Sequence, residues 1–158
     1  MVRTFVIALA AMAIVVAPAQ AACWKADQVD AAKVRDFETM LMVSALRCRA
    51  NGNMLARYNR FVVQARPALT QVNDALRAHF AEAVGPSRAL NAYDSYVTRV
   101  ANRYGAGADG LSCADLSSIT DAAVAERPSF RALAELADRA GVQPLLEGSR
   151  CDVVMARR

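Results

Sequence analysis

Apolar residues recur every three or four positions through most of residues 22–141, and no segment alternates strictly between apolar and polar residues. This spacing is typical of amphipathic α-helices, and the missing alternation argues against a sheet. The pattern predicts a first helix from about Asp27 to Ala50. Its core-facing positions are Val29, Val34, Phe37, Leu41, Ala45 and Leu46.

Asn51-Gly52 predicts the end of that helix, because glycine accepts the left-handed backbone found just past a helix. A second helix is expected from near Asn53 to Gly85-Pro86. Pro67 lacks an amide hydrogen, so it must either kink this helix or begin a new one. The apolar positions are Leu55, Tyr58, Phe61 and Val62, then Leu69, Val72, Leu76, Phe80 and Val84.

The remaining chain predicts further helices separated by a glycine-rich loop, residues 105–110. Ser87 is expected to cap a helix that runs to Tyr104. Ser112 with Asp115 resembles a capping box, and Pro128-Ser129 is expected to begin a last helix that Gly141 ends. The prediction is an all-α bundle of five or six helices in one domain, residues 22–158, with an irregular tail from about Val142.

The first 21 residues have the features of a secretory signal peptide. Arg3 supplies a positive start, a short apolar stretch follows from Phe5 to Ala17, and Ala19-Gln20-Ala21 offers a small-residue cleavage site. We expect cleavage after Ala21 and export to the periplasm or the medium. No apolar run reaches the ~18 residues of a membrane span, so no transmembrane segment is expected after cleavage.

The four cysteines, Cys23, Cys48, Cys113 and Cys151, all follow the predicted signal. An even count in an exported chain predicts two disulfides. The first helix would separate Cys23 from Cys48 by up to ~37 Å, whereas a disulfide needs Cα atoms within about 7 Å. In an up-and-down bundle, the expected pairs are therefore Cys48–Cys113 and Cys23–Cys151. Without a C-x-x-C pair, zinc, thiol-redox and covalent haem sites have little support.

The charge distribution offers one candidate binding site. The chain has 19 basic and 15 acidic residues, but no acidic residue lies between Glu38 and Asp74. That interval carries what we call the arginine pole: Arg47, Arg49, Arg57, Arg60 and Arg66. Arginine forks suit carboxylates and phosphates, so we expect an anionic envelope component or an acidic protein surface rather than nucleic acid. Trp24 and Tyr58 would add stacking surface; a solvated polar face is the alternative.

Residues for catalysis are sparse. His79 is the only histidine, and the chain has no H-E-x-x-H, G-x-S-x-G or phosphate-binding glycine loop. The glutamates are scattered, most of them on predicted polar faces: Glu38, Glu82, Glu126, Glu135 and Glu147. The sequence favours a non-catalytic module with no catalytic residue, metal or cofactor. The alternatives are a small envelope hydrolase that uses these carboxylates with His79, and a haem bundle that pairs Met40 or Met42 with His79.

Residues 31–49, AAKVRDFETMLMVSALRCR, and residues 58–62, YNRFV, resemble a family of short exported bacterial helical proteins. Some members carry the label S-adenosyl-L-homocysteine hydrolase. That enzyme is a large NAD-dependent protein with G-x-G-x-x-G after a strand, and this chain has neither that motif nor the length. The resemblance implies export and a helical fold, and it transfers no catalytic residue.

Overall fold

The computed structural model describes residues 22–50, 52–125 and 128–151. These residues form five α-helices and no β-strand, which confirms the all-α prediction. The helices are α1 (Ala26–Arg47), α2 (Met54–Val84), α3 (Pro86–Arg103), α4 (Cys113–Ala125) and α5 (Phe130–Arg139). The predicted signal peptide, residues 1–21, lies outside the described residues.

Helices α1 and α2 form the centre of the bundle, because each of them packs against all of the other helices. Small residues at Ala31, Ala32 and Ala45 are buried and allow neighbouring helices to approach closely on several sides. Phe37 is fully buried and meets Phe61 of α2 edge to face, with ring centroids 6.4 Å apart. Such a contact stabilises the α1–α2 pair beyond its buried area.

Helix α2 continues through Pro67, so no new helix begins there. A proline inside a helix removes one backbone hydrogen bond and frees the carbonyl four residues earlier, here that of Val63. Both Val63 and Pro67 are exposed, so water can hydrate the freed carbonyl. The site of Pro67 on the solvent side explains why the helix tolerates it.

The predicted capping box at Ser112 is confirmed, the last helix begins where Pro128-Ser129 predicted, and the cap predicted at Ser87 is absent. Asp115 N–H donates to Ser112 Oγ at 3.2 Å and Ser112 N–H donates to Asp115 Oδ2 at 2.9 Å, the reciprocal bonds of a capping box. Ser129 Oγ accepts from the Ala132 amide at 3.2 Å. The prediction that Ser87 caps α3 is wrong. The helix begins one residue earlier, at Pro86, whose fixed φ suits a first helical position.

Both predicted disulfides are confirmed. Cys23–Cys151 joins Cα atoms 4.9 Å apart, and Cys48–Cys113 joins Cα atoms 5.7 Å apart. We call the end of the bundle that contains Cys23–Cys151 the Trp24 end, and the end that contains Cys48–Cys113 the Cys48 end. Residues 142–151 are irregular as expected, with one parallel bridge between Trp24 and Arg150; residues 152–158 lie outside the described residues.

Several apolar positions that the pattern assigned to the core are exposed. Leu46 is 57% exposed and Leu55 is 44% exposed. They lie in the last turn of α1 and the first turn of α2, where the two helices end and fewer neighbours cover them. None of the helices in the described part of the chain is long and apolar enough to span a membrane.

Candidate functional site

Two of the five residues of the arginine pole hold the Cys48 end together. Arg47 Nη1 donates to the carbonyl of Gly105 at 2.6 Å, which attaches α1 to the glycine-rich loop. Arg57 Nη1 pairs with Asp121 of α4 and donates to Ser117 Oγ at 2.5 Å. The interval without acidic residues therefore acquires an acidic neighbour from another helix, and Arg57 is neutralised by it.

The other three, Arg49, Arg60 and Arg66, are exposed, and none pairs with an acidic residue in the described part of the chain. Arg60 and Arg66 lie on one side of α2 with Val63 between them, at i, i+3 and i+6. Val63 is 65% exposed. We call Arg60, Val63 and Arg66 the arginine face. Because Arg66 lies ~18 Å along α2 from Met54, the five arginines do not form a single cluster.

The two aromatic residues expected beside the arginines have other positions. Trp24 lies at the opposite end of the molecule, 1% exposed, so the expectation that it adds stacking surface to the arginine pole is wrong. Tyr58 is half-buried and donates its hydroxyl to Glu38 Oε1 at 2.6 Å. The hydrogen bond fixes Tyr58 against α1 rather than leaving its ring available to a partner.

Glu38 belongs to a buried polar network between α1, α2 and α3, and it is therefore an exception among glutamates that were mostly expected on polar faces. Arg35 Nη1 donates to Glu38 Oε2 at 2.7 Å, and Arg35 Nη2 donates to Asn73 Oδ1. Tyr93 of α3 donates to the same Asn73 oxygen at 2.7 Å. Since both charges are paired and hydrogen-bonded, the network specifies how the three helices pack.

Asp36 is a second buried acid, and it is fully inaccessible. Its Oδ1 accepts from the Tyr104 hydroxyl and from Arg103, while Arg103 Nη1 also donates to the carbonyl of Gln143 at 2.9 Å. Burial raises the pKa of Asp36, although its hydrogen bonds from Tyr104 and Arg103 oppose the shift. This cluster joins α1 to the end of α3 and to the C-terminal segment.

The Trp24 end contains a cavity of about 310 Å³. Its aromatic walls come from Trp24, Phe80 and Tyr96. His79 also lines it; the imidazole stacks on the Trp24 ring, with centroids 3.6 Å apart. The Nδ1 atom of His79 lies 3.1 Å from Gln28 Oε1. Because that amide oxygen can only accept, Nδ1 carries the proton and Nε2 is an acceptor.

His79, the only histidine of the chain, is buried to 3% exposure. Burial lowers the pKa of His79; the charge of Glu82 acts against this shift and that of Lys25 adds to it. The residue is therefore a neutral imidazole near pH 7. A sequence signal existed, since His79 precedes Phe80 on the apolar side of α2.

The two catalytic alternatives gain no support from the geometry. His79 contacts Gln28, whereas Met40 lies twelve residues, or ~18 Å, further along α1, so the two do not face one haem iron. Three glutamates that lie outside the buried network form ion pairs with basic side chains: Glu82 with Lys25, Glu135 with Arg131, and Glu147 with Arg99. Glu126 lies outside the described residues.

No set of three or more His, Cys, Asp or Glu side chains is placed to hold a metal ion within residues 22–50, 52–125 and 128–151. Comparison with known proteins adds no assignment. No family model, no curated protein and no solved structure matches the chain. The candidate sites are therefore the arginine face and the cavity of the Trp24 end, judged on their own chemistry.

Proposed function

We propose that the protein is an exported, non-catalytic binding module whose arginine face attaches it to an anionic component of the cell envelope. The observation that carries this proposal is the exposure of Arg60 and Arg66 without a carboxylate partner in the described part of the chain. Arginines that the fold needs are engaged, as Arg35, Arg57 and Arg103 are. The two on the arginine face are free to meet a partner.

The chemistry of this face favours a partner with phosphate or carboxylate groups. Each guanidinium presents a planar fork of donors that binds such groups with two hydrogen bonds. Val63 between them, and Leu55 two helical turns earlier, add exposed apolar surface. Basic and apolar groups together are typical of helices that bind an anionic membrane surface.

Export is part of the same proposal, and the periplasm or the medium is the proposed location. Cys23–Cys151 and Cys48–Cys113 support it, because disulfides persist in oxidising compartments. The signal-like residues 1–21 and the resemblance to a family of short exported proteins agree with it.

A matched pair of charge reversals tests the arginine face. The test variant is Arg60→Glu/Arg66→Glu, and the control is Arg88→Glu/Arg131→Glu, which reverses two exposed arginines on α3 and α5. Both variants change the net charge equally, so a general attraction of this basic chain to polyanions affects them alike. Binding is measured by sedimentation with vesicles of phosphatidylglycerol and phosphatidylcholine, and with vesicles of phosphatidylcholine alone.

Each basic residue near an anionic surface contributes about 1 kcal/mol, and the introduced glutamates add repulsion, so the test variant should bind phosphatidylglycerol vesicles at least about 30-fold more weakly. The control should lose much less, and added salt should weaken the unmodified protein. Equal losses in the two variants would show that net charge alone governs binding. A second assay captures proteins from envelope extracts with the unmodified protein and with the test variant. The arginine face is excluded as a binding site if the unmodified protein does not bind vesicles and the test variant captures the same envelope proteins.

A further inference from the structure

The cavity of the Trp24 end has walls suited to an apolar molecule. Its surface combines three aromatic rings with small aliphatic side chains, Ala83 and Val84 at the end of α2 and Ala92 on α3. A cavity of about 310 Å³ is twice the size of the ~150 Å³ cavities that bind benzene. By that comparison it has room for a molecule of about twelve non-hydrogen atoms.

The polar groups of this cavity are not equivalent. Trp24 Nε1 is already satisfied, because it donates to the carbonyl of Glu147 at 2.8 Å. Arg99 reaches Glu147 Oε1 through Nη2 alone, at 3.0 Å, and that pair is partly exposed. Arg99 Nε is buried and has no hydrogen-bond partner in the described part of the chain. Because 41% of the Arg99 side chain is exposed, the outer edge of its guanidinium, rather than the buried Nε, is accessible at the cavity.

Charge at the rim favours an anion. Lys25 and Glu82 neutralise one another nearby, and His79 is uncharged near pH 7. Ala22 lines the same cavity, so the cleavage after Ala21 that export would entail would bring a new α-amino group to its rim. Against these two positive groups the rim has one carboxylate, that of Glu147.

We propose that this cavity binds a small monocarboxylic acid with an apolar body of about ten carbons, its carboxylate held by Arg99. The aromatic walls cover the apolar body, while the guanidinium supplies the charged donors without which a carboxylate is costly to remove from water. The carboxylate of the ligand binds Arg99 either together with Glu147, which uses only one guanidinium nitrogen, or in place of Glu147. This site is separate from the arginine face.

Trp24 provides the readout, because it is the only tryptophan and it lines the cavity. The full exported protein is titrated with decanoate, decanol and decylammonium. The three probes have alkyl chains of the same length and head groups of different charge. We expect decanoate to change Trp24 fluorescence saturably below its micelle concentration, with calorimetry giving the same affinity. Decanol should bind at least about 10-fold more weakly, since a neutral hydroxyl forgoes the charged hydrogen bond to Arg99.

Variants locate the site. Arg99→Gln should weaken decanoate about 10-fold and leave decanol unchanged, whereas Arg131→Gln, on the exposed side of α5, should change neither. Ala92→Phe should abolish binding of both by filling the cavity. Circular dichroism of each variant separates loss of binding from loss of fold, and Ala92→Leu offers a smaller filling if the phenylalanine variant does not fold.

Equal binding of decanoate and decanol, or an Arg99→Gln variant that keeps full affinity, would overturn the role of Arg99. No saturable response to decanoate, or full binding by a folded Ala92→Phe or Ala92→Leu variant, would overturn the cavity as the site. Arg60→Glu/Arg66→Glu should keep full decanoate affinity, so this proposal and the proposed function fail independently.

Discussion

The two ends of the bundle are each closed by a disulfide, yet they are built in opposite ways. At the Trp24 end, the main chain of Trp24 bonds to Ser149 at 2.9 Å and to Cys151 at 3.0 Å, around a buried aromatic stack. At the Cys48 end, Leu46 and Leu55 are exposed and the chain is held by Cys48–Cys113 and surface arginine contacts. The Trp24 end is fixed by a stack of large aromatic rings as well as by its disulfide, whereas the Cys48 end has a smaller buried cluster, Met54, Leu116 and Thr120, beside its disulfide and surface contacts.

Removing each disulfide is the strongest way to test that contrast. The loops closed by Cys23–Cys151 and Cys48–Cys113 span 128 and 65 residues. Chain-entropy arguments place the losses in unfolding free energy at up to about 5 and about 4 kcal/mol when the cysteines become serines. Urea unfolding measures both losses.

The same two variants also show whether the ends are independent. Cys23→Ser/Cys151→Ser should make Trp24 more accessible to acrylamide in native buffer, whereas Cys48→Ser/Cys113→Ser should leave its quenching unchanged. If the second variant exposes Trp24 equally, the two ends unfold together and the contrast is wrong.

Truncation of one side chain at each end gives the next largest difference. Trp24→Ala should lower the unfolding free energy by about 3–5 kcal/mol, because it removes a fully buried ring. Leu55→Ala should change it by about 0.5 kcal/mol or less, since the side chain is exposed. The losses are measured from denaturant midpoints, provided that the unfolding free energy of each variant depends equally steeply on denaturant concentration. Similar losses would mean that Leu55 is covered in solution.

Asp36, between the two ends, gives a pH effect of known sign. Its pKa is raised by burial, so the folded protein takes up a proton at a pH where the unfolded chain does not. Its contribution to stability therefore rises as pH falls through the folded pKa toward the ordinary value of 3.8. Asp36→Asn should lose stability more steeply than the unmodified protein between pH 7 and pH 4. Asp36→Ala should cost about 3 kcal/mol, as loss of one partner of a buried ion pair does.

His79 at the Trp24 end predicts the opposite sign. Burial lowers its pKa, so the unfolded chain binds the proton first as pH falls below the ordinary value of 6.5. Its contribution is complete above that pH and is lost on acidification. His79→Gln should therefore lose less stability than the unmodified protein between pH 7 and pH 5. A variant that loses as much would show that the imidazole is accessible to solvent.

The smallest effect is expected at the exposed ion pair of the Cys48 end. Arg57→Gln removes the ion pair with Asp121. The Arg57 side chain is 39% exposed and that of Asp121 is 55% exposed. Such pairs contribute about 0.2–1 kcal/mol, and salt should reduce the difference between the variant and the unmodified protein. A larger loss that does not depend on salt would indicate that the Cys48 end is more tightly packed than the exposure of Leu46 and Leu55 suggests.

Much of the fold could be predicted because the relevant physics is local. Apolar spacing, glycine stops and serine caps depend on neighbouring residues, and they located four of the helices to within a few residues. The length of the first predicted helix excluded Cys23–Cys48, and the assumed up-and-down order of the helices then selected Cys48–Cys113 with Cys23–Cys151. The error at Ser87 came from competition between adjacent residues, since Pro86 is equally suited to begin a helix.

The candidate sites were less predictable, because they depend on residues far apart in the chain. Nothing near Arg57 in the sequence indicates Asp121, 64 residues later, as its partner. Likewise, the stack of Trp24 on His79 and the cavity beside it exist only because Cys151 and the C-terminal segment return to the N-terminus of α1.

The helical class of this chain and the bounds of most of its helices follow from local sequence, because rise per residue and backbone preference are properties of short segments. The cysteine pairing required, in addition, the assumption of an up-and-down bundle. Which charges are buried, which arginines of the described chain lack a carboxylate partner and where a cavity forms depend instead on how the helices pack. Glu38 and Arg60 are both charged helix residues, yet one is buried in a polar network and the other is exposed. That difference arises from the faces that α1 and α2 turn toward their neighbours, and helix packing alone sets those faces.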